Sequence, residues 1–255
     1  MRIFILILTL LAVISCKKVD TVQSEYPCEL DMERYDFSFG IEYDNPQKYL
    51  IPSDQSDVSS EYLEEIRELI GTPEMDLDGI KLVSDWFNKE FTFTSAGGAN
   101  IGKFTINHHY ETKTIYGCHS AALVISSVLR AFGFPTVMIE TASILWAKEY
   151  FDGTNQGFAG HVMTEVYVNN NWILLDNNGT YIKDYYESNP YINTMTTDFH
   201  YNEEGLFVIA KGVDIWDYGV HDHDDTRELM INFSDNLGCF EHLFGSMEYS
   251  WLRLE

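Results

Sequence analysis

The chain has 255 residues, 45% hydrophobic, 15% aromatic and 22% charged, with 40 acidic side chains against 16 basic ones and a formal net charge of −24. That apolar content excludes wholesale disorder, and the length suffices for one large domain or two small ones around a real core. With 6 Pro, 17 Gly and 4 Cys it is neither collagen-like nor a disulfide scaffold. Its acidity argues against a nucleic-acid partner, because nothing would neutralise phosphates.

The first residues read as an address. Arg2 supplies a minimal basic start, and Ile3 to Ile14 is apolar except for Thr9. That run falls short of the about 20 residues that cross a bilayer but suits the core of a secretory signal. Val13-Ile14-Ser15-Cys16, followed by Lys17-Lys18, looks like a bacterial lipobox. Residues 1–15 are then a lipoprotein signal peptide and Cys16 the acylated mature N-terminus. The expected location is the bacterial cell envelope, on the periplasmic or outer face, with the body tethered to a membrane through its lipid and not embedded in it.

Residues 16–55 lack sustained periodicity and read as a tether merging into an irregular N-terminal segment. Ser59-Ser60 precedes Leu63, Ile66, Leu69 and Ile70, an amphipathic helix stopped by Gly71-Thr72-Pro73. A second helix starts near Asp76 or Asp78 and carries Ile80, Val83, Trp86, Phe87 and Phe91 on one stripe. The glycine-bearing loop from Ser95 to Gly102 lacks the Lys-Ser/Thr of a phosphate-binding loop and reads as a plain connection.

From Tyr116 the pattern sharpens. Cys118 opens a stretch through Ala121, Ala122, Leu123, Val124, Ile125, Val128 and Leu129 that is apolar nearly all round, predicting a buried helix stopped by Gly133 and Pro135. Thr136 to Thr141 reads as a strand. His161 to Val168 and Trp172 to Asp176 flank Asn169-Asn170-Asn171 and read as a hairpin. Helix, strand and hairpin in that order predict an α+β core at 56–190, with antiparallel strands on a buried helix. Leu206 to Ala210 is a further strand, and residues 191–255 read as an extension packed on the core.

Cys118 falls at a helix start, where unpaired N–H groups and the macrodipole favour a thiolate. His161 begins the first hairpin strand and Asp176 ends the second, so the two ends come side by side. A carboxylate there would fix the tautomer of the imidazole and support its charged form. Backbone N–H groups at the helix start would contribute to an oxyanion hole.

Tyr116-Gly117-Cys118-His119-Ser120-Ala121, with Leu129-Arg130-Ala131-Phe132-Gly133-Phe134-Pro135 after it and His161, Trp172 and Asp176 further on, resembles the transglutaminase-like superfamily over roughly residues 75 to 180. The resemblance implies a papain-like arrangement, with Cys118 as nucleophile, His161 as general base and acid, and Asp176 as the orienting carboxylate. Asn177-Asn178-Gly179-Thr180 departs from the family's pattern and is expected to loosen the loop after Asp176. Met163 stands where an aromatic is common. The side chain that supports the oxyanion is open among Tyr110, His109 and Tyr116.

The remaining features read more plainly. His119 is expected to pack or lie at the surface, and Arg130 to satisfy carbonyls or pair an acid. His221-Asp222-His223-Asp224-Asp225 reads as a solvated acidic loop, since no second cluster at ligand spacing supports a metal. An oxidising compartment would allow Cys28 and Cys239 to pair, but proximity is not in the sequence. The expected function is a lipid-anchored cysteine acyl-transfer enzyme acting on peptide or other amide bonds, hydrolytic or transglutaminating, with no cofactor. The alternative is a catalytically silent envelope lipoprotein that binds peptide, glycan or a protein partner.

Overall fold

The computed structural model describes residues 25–94, 98–155, 157–192, 204–245, 247 and 249–255. The signal peptide and Cys16 lie outside the described residues. The larger helices are α1 (Ser60–Ile70), α2 (Leu77–Glu90), α3 (Ile106–Thr112), α4 (Cys118–Ala131), α5 (Ile144–Phe151) and α6 (His223–Asp235), with a single turn α7 (Leu237–Phe240). The strands are β1 (Thr92–Phe93), β2 (Thr114–Ile115), β3 (Thr136–Ser143), β4 (Gly160–Val168), β5 (Asn171–Leu175), β6 (Thr180–Ile182), β7 (Tyr191–Ile192), β8 (Leu206–Gly212) and β9 (Trp251–Arg253). Among the described residues no helix is long and apolar enough to cross a membrane.

Side-chain oxygens start the first two helices. The Ser59 hydroxyl accepts the Tyr62 N–H, and the Asp76 carboxylate accepts the Gly79 N–H, each satisfying a donor that the helix itself leaves open. Pairs β7–β8, β8–β3, β3–β4, β4–β5, β5–β6 and β6–β9 are all antiparallel, giving one seven-stranded sheet in the order β7-β8-β3-β4-β5-β6-β9. The fold is α+β, with the predicted buried helix on an antiparallel sheet.

Helix α4 covers the face carrying Met138, Val162 and Val166, and α2 packs outside it through Ile80, Val83 and Phe87. Ile139, Met163, Leu174 and Val208 build a second core on the other face. With apolar packing on both faces, β3 is buried at every position, which explains why its sequence does not alternate.

Two expectations change. Residues 191–255 do not lie as an extension on a finished core, because β8 sits inside the sheet against β3 and β7 edges it. The acidic stretch after His221 is not a loop. The Asp222 carboxylate accepts the N–H groups of Asp224 and Asp225, while Asp225 accepts that of Asp222, a reciprocal cap that starts α6. Among the described residues no group of three or more His, Cys, Asp or Glu could hold a metal ion.

One covalent and several hydrogen-bonded ties fasten distant parts of the chain to one another. A disulfide joins Cys28 to Cys239 across a sequence separation of 211. Lys211 donates to Glu165 at 2.7 Å, and Glu165 also accepts from the hydroxyls of Tyr43 and Tyr185. That pair is buried with its hydrogen bonds satisfied, the condition under which a buried charge is tolerated.

Arg130, at the end of α4, satisfies carbonyls, the first of the two roles read from the sequence. It donates to the carbonyls of Tyr49 at 3.0 Å, Thr136 at 3.0 Å and Val213 at 2.7 Å. Replacing it by Met would strand these buried acceptors. Arg130→Met is expected to lower the unfolding free energy by about 2–5 kcal/mol in urea titrations.

Candidate active site

The site forms where the first turn of α4 meets the beginning of β4. Gly117 precedes α4 at φ 136°, a conformation that favours glycine. Gly117 provides no side-chain cap, and no acid occupies the first turn. The opening N–H groups of α4 are therefore available to an anion, and the helix field favours one. Cys118 is half-buried there and is the one free cysteine among the described residues.

Asn169 and Asn170 turn the hairpin at φ 52° and 62°, the left-handed pair typical of a two-residue hairpin turn. The ladder sets Thr164 opposite Leu175 and Val168 opposite Asn171. Continued, it puts Met163 opposite Asp176, so His161 and Asp176 meet diagonally and not side by side as the sequence suggested. Diagonal neighbours remain within reach of long side chains. His161 Nε2 lies 2.5 Å from Asp176 Oδ1. The backbone of His161 is pinned by Thr141, whose hydroxyl accepts its N–H at 3.2 Å and donates to its carbonyl at 2.8 Å.

The loop after Asp176 is tied, not loosened. Asn177 donates to the Val162 carbonyl at 3.0 Å and to the Cys118 carbonyl at 3.4 Å, linking the helix bearing the sulfur to the strand bearing the imidazole. The second oxygen of Asp176 accepts the Asn178 N–H, which holds the carboxylate in a local turn.

Of the two roles read for His119, packing holds and a surface position does not. It is buried, its Nδ1 lies 3.8 Å from Cys118 Sγ, and its Nε2 lies 2.8 Å from Glu140 Oε2. The Tyr218 hydroxyl donates to the same Glu140 oxygen at 3.2 Å. Two imidazole–carboxylate pairs thus converge on one sulfur. Glu140 was legible only as the one acid in its strand.

The electrostatics follow from this convergence. Burial alone raises the Cys118 thiol, but the charges of His119 and His161 overcome it and bring the sulfur down to about 6. Burial alone lowers His161, yet its hydrogen bonds to Asp176 and the sulfur raise it to about 10. His119 is likewise raised to about 10, against its own burial, chiefly by Glu140 and then by the sulfur. Between these limits the stable arrangement is a thiolate beside imidazolium.

A cavity of about 250 Å³ reaches the sulfur, with Ile101, Phe158 and Met230 among its apolar walls and His119, Glu140 and His223 also lining it. Gly98 and Ile101, from the described part of the glycine-bearing stretch read as a plain connection, line one wall. A Cβ on Gly102 would collide with the backbone of His221, so glycine is what lets this loop close on the start of α6. Thr226 and Met230 line the cavity from α6, and their signal in the sequence was the Asp222–Asp225 cap followed by apolar spacing.

The open candidates separate. Tyr110 is buried in the α2–α3 core and donates to Glu65 at 2.8 Å, so it does not reach the site. His109 Nδ1 donates to the Thr114 carbonyl at 2.9 Å, which commits it to the backbone beside β2. Tyr116 lines the cavity beside Gly117.

Residues 64–177 match the model of the transglutaminase-like superfamily, a span running from α1 through Cys118 and His161 to just past Asp176. This segment is similar to transglutaminase-like domains. Solved structures also match, among them a proposed cysteine protease from Cytophaga hutchinsonii, 18% identical over 68% of this chain and 48% of its own, at a TM-score of 0.46. The chain therefore spans about half the length of that protein. No curated protein matches the chain significantly.

Asp176 supports the charge of His161 through a short hydrogen bond, so removing that acceptor charge weakens the imidazolium. Asp176→Asn is expected to bring the His161 titration down from about 10 toward the ordinary histidine range. NMR of the imidazole nitrogens against pH measures this directly.

Proposed function

We propose that the protein is an exported, lipid-anchored cysteine enzyme that cleaves amide bonds through Cys118, His161 and Asp176, with hydrolysis as its main outcome. The observation that carries this reading is the placing of Cys118 at the start of α4, where the helix and charged neighbours favour its thiolate, beside an imidazole whose Nε2 is held by a carboxylate. The anionic sulfur attacks the amide carbonyl carbon, with backbone N–H groups of the first α4 turn facing the developing oxyanion. His161 gives its proton to the departing amine, then accepts one from the water that cleaves the thioester. Asp176 keeps Nε2 occupied, leaving Nδ1 to face the chemistry.

Acceptor choice decides between hydrolysis and transfer. A water entering the cavity gives hydrolysis, whereas an amine would give cross-linking. The thiolate forms above about 6 and the imidazolium persists to about 10, so activity is expected to plateau between those limits. Assayed on a fluorogenic peptide library, Cys118→Ala is expected to lose at least about a thousandfold in kcat/KM, within the range seen for removed nucleophiles. Hydroxylamine should divert the wild-type thioester to a hydroxamate. Turnover unchanged in Cys118→Ala would overturn the reading. A wild-type sulfur alkylated by iodoacetamide with a midpoint near 6 but inert on every peptide would favour the peptide-binding alternative.

Anchoring through Cys16 is supported by the lipobox-like sequence and by the Cys28–Cys239 bond, which suits an oxidising compartment. Cys16→Ser is expected to move the protein from the membrane fraction to the soluble fraction and to abolish palmitate labelling. An unmodified Cys16 in the purified wild type would remove this part of the proposal.

A further inference from the structure

Most buried charged groups outside the proposed triad have evident structural partners. Lys211 and Glu165 satisfy one another with two tyrosines, and Arg130 binds three carbonyls. The pair of His119 and Glu140 is different because its free end points at the reacting atom. Glu140 holds Nε2 from β3, Tyr218 holds Glu140 from the segment before α6, and Nδ1 is left 3.8 Å from the sulfur. The arrangement parallels that of His161, whose Nε2 is held by Asp176. Both His119 and Glu140 also line the cavity that reaches Cys118, so the pair meets whatever binds there.

We infer that His119 is a second catalytic imidazole, which keeps Cys118 anionic through its Glu140-held positive charge and leaves His161 to move protons. The inference rests on the cysteine-enzyme reading above and deepens it. The sulfur lone pair forms the C–S bond while the carbonyl pair moves to oxygen. Collapse then breaks the C–N bond, and the amine nitrogen takes the His161 proton. Neutral His161 takes a proton from water as the water oxygen bonds to the acyl carbon. Collapse breaks the C–S bond, and sulfur leaves with its electron pair. The products are an amine and a carboxylic acid, and His161 is again protonated. His119 exchanges no proton in this cycle. Its constant charge stabilises the sulfur as attacker at the start and as leaving group at the end.

The charged and titratable groups facing this sulfur are His119 on α4, Glu140 on β3, His161 on β4, Asp176 after β5, Tyr218, and His223 on α6 across the cavity. The two histidines make separable predictions, which iodoacetamide alkylation against pH reads without any substrate. His161→Gln should abolish turnover yet leave the sulfur alkylated at neutral pH, with its midpoint still below the ordinary thiol value of about 8.5. His119→Gln should raise the midpoint by about one unit or more, a tenfold loss of thiolate on the acid side. Glu140→Gln should raise it in the same direction while keeping both imidazoles, which guards against a His119 variant that fails to fold. Circular dichroism checks each variant. Folded His119→Gln and Glu140→Gln proteins with the wild-type midpoint, beside a His161→Gln protein with an ordinary thiol, would overturn the role of His119 alone. A wild-type midpoint in the ordinary thiol range would overturn the cysteine-enzyme reading along with it.

Discussion

Burial disfavours a thiolate unless positive charge or hydrogen-bond donors replace the water it loses, and the start of α4 places Cys118 under that constraint. Two imidazoles meet it here, each held through Nε2 by a carboxylate from the sheet or its margin. Both carboxylates are almost wholly buried, so their fields reach the rings with little screening. Much of the surrounding structure keeps these charges in register. Thr141 pins the backbone of His161, and Asn177 joins the carbonyl of Cys118 to that of Val162.

The division of labour between helix and sheet follows from their geometry. The start of α4 offers oriented N–H groups but no carboxylate of its own, and an acid in that turn would compete with the sulfur for the same donors. Strands supply carboxylates and imidazoles at fixed spacings, and their central positions are the most rigid in the sheet. Here β3 and β4 lie side by side with β8 and β5 outside them, so Glu140 and His161 sit on strands paired along both edges. Other cavity walls come from outside this sheet, from Gly98 and Ile101 and from Thr226 and Met230 on α6.

The hairpin, the buried helix and the first two helices were legible because each follows from local rules. Apolar spacing, capping side chains and paired asparagines act within a few residues. The diagonal meeting of His161 and Asp176 was nearly legible, and missed by two positions because register depends on where the turn is centred. Helix α6 was hidden by its charge. Asp222, Asp224 and Asp225 look like a solvated run, yet they are acids at a helix start, where the dipole favours them. The role of His119 could not be read locally, since its partner Glu140 arrives from a strand beyond the end of α4.

The sequence by itself determined that a cysteine opens a buried helix, that a histidine and an aspartate bracket a hairpin, and that the core is α+β. These are consequences of periodicity and turn chemistry, which act along the chain. Tertiary structure decided the rest: that β8 enters the middle of the sheet, that Cys28 meets Cys239, and that Glu140 meets the histidine beside the sulfur. The physical reason is that electrostatic strength depends on distance and burial, and neither exists until distant segments pack together.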